Sequence, residues 1–408
     1  MEYKPYKYEL CVAFMLLWLF LLMPLDVIYG QDKTYQYCNA RAKLLLNLTF
    51  DETFERFSPK SNYRIQLADL RPGICESTFL IHGGRIYSHN KSRSMLVARR
   101  KDAVHLRHME FFFPLLRLLK DTEDILKVKL PTLLFNLETQ DNPTCRYPRE
   151  ELKAGELKAV KGIVHHSFCS PELCDGTTLL PISYNQNINA MRTTKGLDRK
   201  VSATPWRKRI PKLFWRGSNA GKKHEYSRFS WNYRKMPRSR AIEICSSRKD
   251  ADVKFGFVPW KVFMKHKYVL ALAGNTYASL FKHALRSGGC ILRQEERMYE
   301  WFEPFLKEWV HYIPVNWDLS NLLNQLEWAK SNDEEAQQIS FRAKVLGEAL
   351  FSPEIMACYT YCTLIHFHKK FDVDFLDIET LQNFKPVSYV CKSKRDKRDD
   401  CMHVDSAA

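Results

Sequence analysis

Residues 268–289 read YVLALAGNTYASLFKHALRSGG, and this stretch admits few folds. The apolar run 269–273 suits a strand buried on both faces, as in a parallel sheet. Gly274, Asn275 and Thr276 suit a tight turn, residues 277–286 carry helical spacing, Gly288 and Gly289 end the helix, and residues 290–292 start another strand. The pattern is a βαβ unit. Its turn presents backbone N–H groups at a helix start, an arrangement that suits a phosphate or pyrophosphate. A βαβ turn that binds nothing has the same pattern, so this stretch alone leaves both readings open.

A second turn shifts the balance. Residues 212–215 form a short strand candidate, followed by Arg216, Gly217, Ser218, Asn219, Ala220 and Gly221. Glycine and serine allow close backbone approach, and Arg216 offers planar, charge-assisted hydrogen bonds to phosphate oxygens. Lys235, Arg238 and Arg240 follow, and most such charge is solvated surface. Two phosphate-suited turns in one region point to a nucleotide ligand, though not to a reaction.

The N-terminus bears on compartment. Lys4 and Lys7 precede an apolar run over residues 10–25, with Ile28 and Gly30 before a plausible cleavage point. That layout reads as a secretory signal peptide over residues 1–30, and no stable membrane anchor is expected. Asn47 and Asn90 each open a glycosylation sequon, whereas the proline after Asn142 blocks a third. The formal charge of +17 would suit polyanions, but a luminal chain argues against a nucleic-acid partner. Beyond residue 30 there are 11 cysteines, and an oxidising lumen would pair most of them. None stands in a CxxC pair, so structural disulfides are favoured over zinc.

A composition of 45% hydrophobic and 27% charged residues over 408 positions is that of a globular protein with room for two cores. Residues 31–77 form a polar segment containing Cys38 and Cys75, and residues 78–205 hold strand candidates at 79–81 and 132–136 around an apolar helix near 109–119. Residues 206–370 alternate strands and helices before ending in helices, and residues 371–408 form a basic tail expected to be mobile. Ser320 is placed as the cap of a helix over 321–331, Asn332 precedes the acids Asp333, Glu334 and Glu335, and Ser352 precedes Pro353 at a further helix start. The aromatics between Tyr359 and Phe367 are expected to be core.

Three strings, LFWRGSNAG, KYVLALAGNTYASLFKH and WVHYIPVNWDLSNL, resemble glycosyltransferase family 90, most of all the Rumi-like protein O-glucosyltransferases of the endoplasmic reticulum. The similarity is firm over about residues 205–371 and traceable to about residue 79. It implies an α/β fold of GT-B type, with two Rossmann-like domains, acceptor-side over 78–205 and donor-side over 206–370, meeting at a donor/acceptor cleft. It also implies an inverting, metal-independent enzyme that moves glucose, or alternatively xylose, from UDP-glucose or UDP-xylose to serine of folded EGF-like repeats of Notch type. No cofactor is expected beyond the UDP-sugar donor. By position, Ser218 matches the donor-binding serine, Arg240 the donor-phosphate arginine, and Asn275, Thr276, Tyr277, Ala278, Ser279 and Leu280 the turn and helix start that grip UDP.

The family's base follows a strand in a string of the form Asn-x-x-Asp-x-Pro. Here Asn136 to Pro143 reads NLETQDNP, two residues longer. Asp141 keeps the Asp-x-Pro end and is the first candidate; Glu138 keeps the spacing from Asn136 and is the second. Asp372 and Asp374 spell an acid-x-acid pair of the kind metal-dependent transferases use, but they lie away from both turns and read as surface, so no metal site is expected. Relatives often carry arginine at the position of Leu280, and a cysteine pair of the animal enzymes is replaced by Met264 and Ser287. The C-terminus carries no KDEL-type signal, so the endoplasmic reticulum lumen is expected with Golgi residence or secretion as alternatives. Two other readings stand beside the main one: a related transferase adding xylose or another sugar to a glycan, and a non-catalytic secretory binding protein on the same scaffold.

Overall fold

The computed structural model describes residues 31–57, 78–83, 85–89, 103–138, 163–165, 177–181, 204–218, 237–274, 279–295, 300–369, 384–386, 388–391 and 401–403. The polar N-terminal segment folds into α1 (Gln31–Leu46) and α2 (Phe50–Phe57). Thr49 starts α2 with a reciprocal cap: its Oγ1 accepts from the Glu52 amide at 3.1 Å, and the Glu52 carboxylate accepts from the Thr49 amide at 2.6 Å.

Five strands and one long helix follow: β1 (Thr78–His82), β2 (Arg85–His89), α3 (Ala103–Leu126), β3 (Leu133–Glu138), β4 (Ile163–His165) and β5 (Thr177–Leu179). Near the C-terminus, β11 (Phe384–Pro386) joins them, inside the region read as tail. The sheet order is β11-β2-β1-β3-β4-β5, antiparallel from β11 to β3 and parallel from β3 to β5. This sheet is mixed, where the resemblance implies a Rossmann-like one.

The second sheet is parallel throughout. Its strands are β6 (Ile210–Gly217), β7 (Ala251–Phe255), β8 (His266–Ala271), β9 (Cys290–Gln294) and β10 (Ile313–Val315), in the order β10-β9-β8-β6-β7. Between them lie α4 (Pro237–Cys245), α5 (Trp260–Phe263) and α6 (Ser279–Ala284). The chain closes its helical part with α7 (Leu322–Ser331), α8 (Asp333–Leu350) and α9 (Pro353–His368). A short hairpin pairs β12 (Ser388–Cys391) with β13 (Cys401–His403).

Residues along the central strands alternate between two cores. Leu213, Trp215, Tyr268, Leu270, Cys290 and Leu292 pack on one face with Ala241 and Cys245 of α4 and with α7. Phe214, Val269, Ala271 and Ile291 pack on the other with Phe281 and Ala284 of α6. A sheet covered on both faces forces continuous apolar strands, which is why 269–273 reads as an unbroken hydrophobic run.

The α6-side core runs on without a break into α1, α3 and the first sheet, because α9 lies between them. Tyr359 of α9 packs edge-on against Phe50 at 5.6 Å and tilted against Trp301 at 4.9 Å, so the aromatics of this helix are core. Cys38 and Cys358 form a disulfide between α1 and α9, and Arg41 grips Glu354 with two hydrogen bonds of 2.8 Å beside it. Cys245, Cys290 and Cys362 are buried free thiols, so the expected general pairing of cysteines does not extend to them.

Helix starts are part as expected. Ser352 caps α9, its hydroxyl accepting from the Ile355 amide at 3.3 Å. Ser320 does not cap α7: Asn321 occupies that position without a side-chain cap, and the Ser320 hydroxyl accepts from Asn316 at 2.9 Å. The Asn316–Asn321 turn consumes these side chains, because Asn321 accepts the Asn316 amide at 2.8 Å.

Candidate functional site

The strand order of the parallel sheet reverses at one point. From β6 the chain goes to β7 on one side and then to β8, β9 and β10 on the other. Connecting helices α4 and α6 therefore cover opposite faces, and in open α/β sheets such a reversal is where ligands bind, here at the carboxyl ends of β6 and β8. The two turns singled out by sequence leave from those two ends: Gly217–Ser218 after β6, and Ala273–Gly274 after β8.

The first turn needs its glycine. A Cβ at Gly217 would lie 2.6 Å from the Trp215 ring, and the Gly217 carbonyl accepts from the Gly256 amide at 3.0 Å, tying the turn to the end of β7. The Arg216 side chain is engaged within the protein. Its guanidinium donates to the Asp252 carboxylate at 2.7 Å and to the Trp215 and Asp252 carbonyls, which corrects its reading as a phosphate contact. Burial raises and this pairing lowers the Asp252 carboxyl, and the balance lies below its ordinary range.

Ser218 is exposed and accepts at Oγ from Arg238 at 3.2 Å. The second turn is held from behind by Gln294, fully buried at the end of β9. Its Oε1 accepts from the Ala273 amide at 3.0 Å and its Nε2 donates to the Trp317 carbonyl at 2.6 Å, so one amide fixes the exits of β8 and β10. Sequence reading passed over Gln294; a polar residue ending an apolar strand was the available signal.

Asn275, Thr276, Tyr277 and Ala278 lie outside the described residues, and Ser279 opens α6. Leu280 is half-buried and packs against both cores, so it faces inward. Lys282 pairs with Glu300 at 3.1 Å with both side chains buried, and so supplies no cation at the turn. Arg240, half-buried on α4, adds its field to hydrogen bonds from Ser320 that hold the Asp318 carboxyl below its ordinary range. That places Arg240 near the exit of β10.

Of the base candidates, Glu138 is the last residue of β3, in register with His165 of β4, and Asp141 lies outside the described residues. Asn136 is buried and accepts from the Thr78 hydroxyl at 2.7 Å, so the first residue of the string is a sheet anchor. Asn47 is exposed just past α1 with a φ of 56°, while Asn90, Asp372 and Asp374 lie outside the described residues. Among the described residues no group of three or more His, Cys, Asp or Glu could hold a metal ion, and no helix is long and apolar enough to cross a membrane.

The model of the family described as Glycosyl transferase family 90 matches residues 181–407, more than half of the chain. The chain belongs to glycosyl transferase family 90. Both turns, the Arg240 helix and β10 fall inside that match, which makes the family's glycosyl transferase chemistry the frame for this site. Protein O-glucosyltransferase 3 of Mus musculus is 25% identical over 249 residues, covering 58% of this chain and 47% of that protein. Protein O-glucosyltransferase 2 of Danio rerio is 29% identical over 256 residues, 60% of this chain and 47% of that protein. Protein O-glucosyltransferase 1 of Homo sapiens is 29% identical over 170 residues, 40% of this chain and 43% of that protein. The chain thus matches about half the length of these curated relatives.

Proposed function

We propose that this chain is an inverting, metal-independent glycosyltransferase that moves glucose, or alternatively xylose, from a UDP-sugar to serine of folded EGF-like repeats in the secretory pathway. The observation that carries the reading is the placement, within the family match, of both phosphate-suited turns at the reversal point of a doubly covered parallel sheet. In this reading the two sheets are the halves of a GT-B-like arrangement with the acceptor meeting the donor between them. Similarity to protein O-glucosyltransferases supports a protein acceptor.

The chemistry divides among named groups. Arg240 and the backbone amides beyond Gly274 neutralise the leaving diphosphate without a metal, and Ser218 binds the donor. Asp141, or Glu138 in its place, takes the serine proton as the acceptor oxygen attacks the anomeric carbon from the face opposite UDP.

The test is incubation of the purified chain with a folded EGF-like repeat and, separately, UDP-glucose and UDP-xylose, read as intact mass of the acceptor. A gain of one hexose or one pentose is expected and names the donor. UDP binding without any gain would instead favour a non-catalytic binding protein, a reading motivated by the inward-packed Leu280. Transfer to a glycosylated acceptor alone would favour the glycan-extending reading.

A further inference from the structure

Arg238 is the second residue of α4, and its guanidinium is the one described side chain that touches both turns. Nε donates to the Ala273 carbonyl at 3.0 Å, and Nη1 donates to the Ser218 carbonyl at 2.9 Å and to Ser218 Oγ at 3.2 Å. The group also lies over the Trp215 ring, 5.6 Å from its centroid. A guanidinium has donors only. The Ser218 hydroxyl therefore accepts from Arg238, and its own proton points away from the guanidinium, free to be donated.

From this geometry we infer that Arg238 is a positioning residue for the donor: it locks the two turns across the strand reversal and sets Ser218 as a hydrogen-bond donor toward an oxygen of a nucleoside diphosphate. The inference rests on the UDP-sugar reading above and deepens it. Among the described residues the two exits are joined by the sheet pairing of β6 with β8 and by this planar fork, which holds their spacing. A lysine keeps the charge but offers its donors from a single nitrogen and not from a planar fork.

The experiment titrates UDP into the full chain and its R238K, R238A, S218A and S218A/R238A variants by calorimetry, with donor and acceptor KM measured alongside. R238K and R238A are expected to weaken UDP binding about tenfold and to raise donor KM in step, leaving acceptor KM unchanged. Adding S218A to R238A is expected to weaken binding less than about twofold further, because Ser218 acts in the arrangement Arg238 sets. R238K carries the test if R238A does not fold. Wild-type affinity in R238K, or multiplying losses in the double variant, would overturn the assignment while leaving the donor reading intact. Failure of the wild-type chain to bind UDP would overturn that reading, and this assignment with it.

Discussion

Lys282 and Glu300 meet at 3.1 Å with side-chain exposures of 1% and 3%, so the helix that follows the second turn is anchored by an ion pair wholly out of water. Arg293 and Glu303 form a second such pair at 2.8 Å close by, with the Arg293 guanidinium 4.1 Å over the Phe281 ring. Burial opposes both ions of each pair, and mutual attraction offsets that only while both partners are present. Lys282→Met is therefore expected to lower stability by about 3–5 kcal/mol, because it strands a buried carboxylate. Adding Glu300→Leu should recover most of the loss, and urea unfolding of the three proteins checks it.

Asp141→Asn is expected to fold and to bind UDP while losing transfer by a factor on the order of 10²–10⁴. Retained transfer in that variant, with loss in Glu138→Gln, would move the role to Glu138. Single-turnover assays with a saturating acceptor separate this from weakened binding.

If the proposed donor site is right, Arg240→Ala should weaken UDP binding as well as turnover, because its charge would meet the diphosphate in ground and transition states alike. Donor affinity unchanged in this variant would remove Arg240 from the diphosphate site.

His283 of α6 stacks tilted on Trp260 at 4.6 Å, and burial with the nearby Lys282 and Arg286 cations depresses its imidazole to about 3. The folded value lies below the unfolded one, so the stabilising neutral form is intact above about pH 6.5 and its contribution is lost as pH falls toward 3. Glu303, pushed up to about 7 by burial, acts with the opposite sign as pH falls from 7. The comparison of wild type with His283→Gln isolates the histidine: the variant is expected to lose less stability between pH 7 and 4 in chemical denaturation.

The Cys38–Cys358 bridge closes a separation of 320 residues between the first described helix and α9. In the chain-entropy account such a loop contributes about 6 kcal/mol. Cys38→Ser with Cys358→Ser is expected to lower the melting temperature while the Arg41–Glu354 pair keeps α1 docked, and thermal unfolding with and without reductant checks it.

Much of the parallel sheet was legible. The run at 269–273 and the glycines at 288–289 bracket β8, α6 and β9 to within a few residues, because a strand buried on both faces and a helix end leave local marks. Ser352 and Pro353 located the start of α9 for the same reason. Arg216 and Ser320 misled because their local settings suit a ligand and a cap, but Asp252 and Asn316, 36 residues beyond the one and 4 before the other, compete for them.

By itself the sequence determined the βαβ units, the two turns, the family resemblance and the residue types able to meet a phosphate. These follow from period, composition and short strings, which local sterics and hydrogen bonding impose. Only the tertiary structure decided that the exits of β6 and β8 are neighbours at a strand reversal, that Arg238 spans them, that Gln294 anchors one from behind, and that Lys282 is spent on Glu300. The physical reason is that each of these depends on which side chain reaches a partner 18 to 35 residues away, and the energy of a buried charge or amide is set by that partner and not by its neighbours in the chain.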